Sequence, residues 1–214
     1  MKPNNFFAII GQLCFLVLPL LCFNCSKSDA NSTTTTQLPP LPPPPPPPPQ
    51  DSCVSCQLLY YGGDHSDAPT LDSGIYEAAA RYTPAKIGNL AGKAIKEIHY
   101  YITQKPDSVI LKLYGPLNEQ MPGVLLYSAN VTDSTKSGKW NVHTLTQPVA
   151  LTSADMWLSI ELKLSSSQKT IGCDPGPAHP GGDWLFSTGD NQWISFEQRM
   201  GVSINWNIRL GIAL

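Results

Sequence analysis

Three stretches of the chain alternate apolar and polar residues with a period of two: Val109-Ile110-Leu111-Lys112-Leu113-Tyr114, Met156-Trp157-Leu158-Ser159-Ile160-Glu161-Leu162, and Ile204 through Ile212. Successive side chains on a pleated strand point to opposite faces, so each stretch predicts a half-buried strand. Weaker runs at 57–62, 75–82, 94–103, 123–131, 139–149, 183–188 and 192–197 are closed by Gly, Pro, Asn or Asp, bringing the total to about ten. Only Thr83–Leu90 reads as a helical turn, with Thr83 able to cap it and Pro84 in the first helical position. The pattern predicts an all-β chain, an antiparallel jelly-roll-like β-sandwich over 57–214, long enough to close two packed sheets.

Alternation also selects a core: Ala80, Tyr82, Ile95, Ile98, Tyr100, Ile102, Leu111, Leu113, Leu126, Trp140, Leu145, Leu158, Ile160, Leu162, Trp184, Trp206 and Ile208. Asn205, Asn207 and Arg209 alternate with Trp206 and are expected to face the other way, toward loop backbone or solvent. Most aromatics on alternating strand positions are core, so a ligand-stacking role is expected of those near loops, Tyr61 and Trp193.

The pattern changes completely before residue 57. Residues 6–23 form an apolar run after Lys2 and end at Asn24-Cys25-Ser26-Lys27, the layout of a signal peptide over 1–24. Cys25 resembles the acceptor cysteine of a bacterial lipobox, although Cys22 and Phe23 depart from its pattern. That resemblance implies lipidation at Cys25, a membrane anchor, and an outer-membrane lipoprotein of the cell envelope. Residues 25–56 lack any apolar period. Ser, Thr and Asn dominate the first part, and the prolines of 39–49 impose a polyproline II spacer of roughly 35 Å.

Removing the signal peptide and acylating Cys25 would leave Cys53, Cys56 and Cys173. Cys53-Val54-Ser55-Cys56 has C-x-x-C spacing but neither the strand-to-helix setting of a redox site nor a second ligand pair for zinc. The expectation is a disulfide, either local or linked to Cys173, with one thiol left over.

Composition narrows function further. Fourteen Lys and Arg against sixteen Asp and Glu supply no basic field, which sets nucleic acid aside as a partner. No G-x-S-x-G, H-E-x-x-H, phosphate-loop or dinucleotide fingerprint occurs, so the expectation is a non-enzyme without a resident cofactor. His65, His99, His143 and His179 are scattered, and His99 and His143 read as structural. Asp64-His65-Ser66-Asp67 with Asp72 forms an oxygen-rich loop, a candidate for calcium at Asp64, Asp67 and Asp72 that turn chemistry explains equally. Asp174 and Asp183 flank the turn-rich segment 175–182. These two loops supply the ligand-binding candidates Tyr61, Asp64, His65, Asp67, Asp174 and Asp183, with Trp193 added as an exposed aromatic.

Ile75–Pro84, Ile95–Tyr101, Leu113-Tyr114-Gly115, Leu126-Tyr127-Ser128, Trp140-Asn141, Met156–Leu158, Cys173–Ala178, Gly182-Asp183-Trp184 and Asn205–Arg209 occur in an order that resembles extracellular β-sandwich modules of the cleaved-adhesin and jelly-roll type in Gram-negative bacteria. The resemblance spans about 58–214. It implies an adhesive or accessory role, binding carbohydrate or protein, and carries no catalytic residues across. An accessory or degenerate domain of an extracellular hydrolase is the alternative.

Overall fold

The computed structural model describes residues 56–62 and 65–213. The signal peptide, Cys25, the tether, Cys53 and Asp64 lie outside these residues, as does the side chain of Cys56. Twelve strands are present among the described residues: β1 Cys56–Leu58, β2 Thr70–Leu71, β3 Gly74–Tyr82, β4 Ala94–Ile102, β5 Ser108–Tyr114, β6 Leu125–Asn130, β7 Lys139–Ala150, β8 Met156–Leu164, β9 Gln168–Lys169, β10 Trp184–Ser187, β11 Gln192–Ser195 and β12 Ile208–Ile212. Two short helices, α1 Pro84–Ile87 and α2 Phe196–Met200, complete the set.

The fold is an all-β antiparallel sandwich. Six strands order as β11-β10-β3-β8-β5-β6, four as β1-β12-β4-β7, and β2 pairs with β9. The chain repeatedly crosses between the two larger sheets, from β3 to β4, back to β5, from β6 to β7, back to β8, and finally from β11 to β12. Crossing brings the inward positions of both sheets into one core, where Ala78, Ala80, Tyr82, Leu111, Leu113, Leu158, Ile160 and Leu162 meet Ile95, Ile98, Tyr100, Ile102, Ile208 and Leu210. Thr83 caps α1 as expected, its Oγ1 accepting from the Lys86 N–H with Pro84 in the first turn.

Three of the expected core residues face outward. Leu126 is 44% exposed because Tyr127 is the β6 residue opposite Leu113, which reverses the expected parity. Trp140 stands opposite Tyr101 on the outer face of the four-stranded sheet. Trp184 is displaced for the same reason: Leu185 takes the inward position of β10. Trp206 is buried as expected, but it sits before β12 in an isolated bridge to Cys173 rather than inside a continuous strand from 204. Asn205 and Asn207 do alternate with it, yet both are fully buried and bond loop groups instead of solvent.

Candidate functional site

The outer face of a sandwich sheet normally meets water, but half of the outer face of the six-stranded sheet is covered by its own aromatic side chains. Trp157 and Trp184 stand on strands separated by β3, and their rings nevertheless approach to 5.3 Å between centroids. They can meet because the residue between them on β3 is Ala79, which they bury. Trp193 closes on Trp157 at 5.7 Å and on Phe186 at 5.4 Å. The hairpin presenting it turns at Asn191, whose φ of 55° is one that Asn tolerates better than most residues.

A second element completes this wall. The β5–β6 connection, residues 115–124, is pinched at its base by the Gly115 N–H on the Val124 carbonyl and the Gly123 N–H on the Gly115 carbonyl, both 2.9 Å. Its tip is held where Arg81 donates to the Glu119 carbonyl at 3.3 Å, while the same guanidinium makes two bonds to Asp155. Between this strap and the hairpin lies an open cleft of ≈ 460 Å³, lined by Trp193, Phe186, Ile194, Met121 and the carboxamides of Asn118, Gln120, Asn191 and Gln192. No charged side chain lines it. The side chains of Gln120, Asn191 and Gln192 make no hydrogen bond within the described chain, whereas Asn118 Oδ1 accepts from the Gln120 and Met121 N–H groups.

Beside the aromatic wall the same face carries a compact ionic cluster. Lys112 Nζ donates to Glu77 Oε1 at 2.7 Å and to Glu161 Oε2 at 2.6 Å. Glu77 Oε2 accepts from the Ser159 hydroxyl at 2.7 Å and from the Tyr114 hydroxyl at 3.0 Å. Glu77 and Glu161 are directly opposite on adjacent strands, a repulsive arrangement that Lys112 on the third strand offsets. Burial by itself would lower the Lys112 ammonium, but the bonds to Glu161 and Glu77 outweigh it and hold the group raised. Burial and the Glu77 charge push the Tyr114 phenol up to about 12.

The loop candidates have structural work. Asp174 is buried and accepts from the backbone N–H groups of Gly62, Gly176 and Asn205 and from the Asn205 amide, tying three segments to one carboxylate. Asp183 is likewise buried and accepts from the Glu197 N–H in the first turn of α2, and burial raises its carboxyl. A small depression of ≈ 270 Å³ beside it is bordered by Arg81, His179 and Glu197. Asp67 pairs with Lys169, which lowers its carboxyl, while among the described residues no group of three metal-ligating side chains converges. Asp72 belongs to no such group, and the calcium expectation at Asp64 lies outside the described residues. Cys173 is a free, buried thiol, the leftover thiol of the local-disulfide alternative, while Cys53 and the Cys56 side chain lie outside the described residues; burial pushes Cys173 up to about 12.

Tyr61 and His65 come together on the opposite side of the molecule. Tyr61 packs on Trp140 and accepts from Arg209 at 2.7 Å, Arg209 lies 4.4 Å over the Trp140 ring, and His65 stacks on Tyr101 at 3.8 Å. These contacts fasten Tyr61 and His65 to the four-stranded sheet. Among the described sequence candidates, Trp193 alone reaches the cleft described above. Phe186, Asn118, Gln120, Asn191 and Gln192 were missed, although the Gly189-Asp190-Asn191 turn marked the hairpin that carries five of the site's residues. The chain matches no family model, and comparison with curated proteins and with solved structures finds no similar protein.

Proposed function

We propose that the domain is a non-catalytic binding module for a neutral carbohydrate, carried on a lipid-anchored envelope protein. The observation that supports this reading is the Trp193–Phe186 cleft, where two aromatic rings and four carboxamides converge without a charged side chain. Aromatic rings cover the apolar face of a sugar, and carboxamides both donate to and accept from its hydroxyls. A cleft mostly apolar with a few convergent polar groups has the general form of a small-ligand site.

The hydrolase alternative draws on Glu77 and Glu161, whose bonded oxygens are no farther apart than the two bonds to Lys112 between them. Retaining glycosidases hold their two carboxylates about 5 Å apart across open space. Lys112 Nζ, however, occupies the space where the scissile oxygen and anomeric carbon would have to lie. Binding without turnover is therefore the better reading.

Glycan-array binding by the full chain in detergent, repeated with Trp193→Ala, tests it. Wild-type binding that the substitution abolishes is expected, with no sugar released from any bound glycan. Sustained hydrolysis, or binding indifferent to Trp193, would overturn the reading. Metabolic labelling with a fatty-acid probe tests the anchor, and label lost in Cys25→Ala is the expected result.

A further inference from the structure

We infer that the Trp193–Phe186 cleft continues across the sheet to a second subsite formed by Lys112 and Glu161, so that the ligand is an oligosaccharide presenting a vicinal diol there. The inference rests on the carbohydrate reading and adds to it a direction, a length and a recognised group.

Direction comes from register. Trp193 is opposite Phe186, Phe186 is opposite Glu77, and Glu77 is opposite Glu161, so the four stand in one cross-strand row on the outer face. Strands lie about 4.8 Å apart, which puts the Trp193 and Glu161 positions about 14 Å apart, the extent of a short oligosaccharide and not of a single ring.

The recognised group follows from which atoms are spent. Both oxygens of Glu77 are engaged, one by Lys112 and the other by Tyr114 and Ser159, so Glu77 is a positioning residue. Glu161 bonds only through Oε2 and its side chain is 25% exposed, leaving Oε1 as an acceptor facing solvent. Lys112 has a third N–H beyond its two carboxylate bonds, and the Tyr114 hydroxyl lies beside it, so a ligand oxygen accepting there shares the ammonium with Tyr114. A donor and an acceptor held together by a 2.6 Å bond match two adjacent hydroxyls, one giving its proton to Glu161 and the other accepting from Lys112. Two carboxylates against one ammonium leave the cluster net negative, which disfavours an anionic ligand.

The test is titration calorimetry of the full chain in detergent with cellohexaose, xylohexaose and mannohexaose, each beside its monosaccharide. One hexasaccharide is expected to bind at least about tenfold more tightly than its monosaccharide, and Glu161→Gln to weaken it about tenfold in a domain that still melts cooperatively. Tyr114→Phe, which removes a hydroxyl bonded to Glu77 and adjacent to Lys112, should lower the melting temperature and change affinity less than Glu161→Gln does. Unchanged affinity in Glu161→Gln while Trp193→Ala abolishes binding would overturn the second subsite and leave the cleft reading standing. A monosaccharide binding as tightly as its hexasaccharide would do the same. Binding to none of the six, or binding unaffected by Trp193→Ala, would remove both.

Discussion

Replacing Trp206 by Ala should cost the domain a large fraction of its stability. The side chain is 1% exposed, its ring meets Phe196 edge-on at 5.2 Å, and its Nε1 donates to the Trp184 carbonyl at 2.9 Å. Truncating a buried Trp costs about 3–5 kcal/mol through lost transfer energy and the cavity left behind. Loss of the hydrogen bond to the Trp184 carbonyl pushes the result toward the upper end, because such a bond contributes about 0.5–1.5 kcal/mol net. Against a total margin of about 5–15 kcal/mol, the variant should be barely folded or strongly destabilised. At about 2–4 °C per kcal/mol for a domain of this size, its melting temperature should fall by roughly 10–20 °C. Trp206→Phe separates the two contributions: it retains most of the packing and loses the hydrogen bond, so it should melt between wild type and Ala. Circular dichroism melts in the far and near ultraviolet provide the measurement. If Trp206→Ala melts within a degree or two of wild type, the corner formed by 174–183, 196 and 206 is not part of the cooperative core, and the argument from burial fails.

Asp174→Ala should destabilise by about 1–3 kcal/mol or more, since it strands the N–H groups of Gly62, Gly176 and Asn205 at once; hydrogen exchange at those amides should accelerate together. Cys173 holds its proton more tightly when folded, about 12 against the ordinary 9.0, so its contribution is complete below pH 9 and is lost as the pH rises toward 12; Cys173→Ala should flatten that part of the alkaline decline in melting temperature. Native Cys173 should also resist a disulfide reagent until the protein is unfolded. Gly123→Ala would place a Cβ 2.2 Å from the Pro116 carbonyl oxygen, so the strap must shift; glycan affinity should drop well beyond any effect of the same change at Gly62, where nothing lies within 4 Å, when both variants are compared by calorimetry and thermal melts.

The β-sandwich was legible in the sequence because period-two alternation is a local property, and each strand must hide one face whatever its partners. Thr83-Pro84 announced α1 for the same local reason. The helix at 196–200 was equally announced by Ser195 and Gln198, which form a capping box, but a run of strand-like residues at 192–197 masked it. Parity at Leu126, Trp140 and Trp184 was not legible, since a strand rich in apolar residues on both faces reads the same in either register and only the partner decides. The cleft itself is a product of tertiary structure. Trp193 and Phe186 come from one hairpin, but Asn118 and Gln120 arrive from the strap between β5 and β6, at the other side of the sheet. Lys112, Glu77 and Glu161 lie on three strands distant in sequence and become one cluster through register alone. Sequence by itself determined the alternation, the turns and the apolar run ahead of the domain, all of which depend on near neighbours. Which side chains share a face, and therefore which can hold one ligand, depends on strand order and pairing, which the long-range packing of two sheets decides.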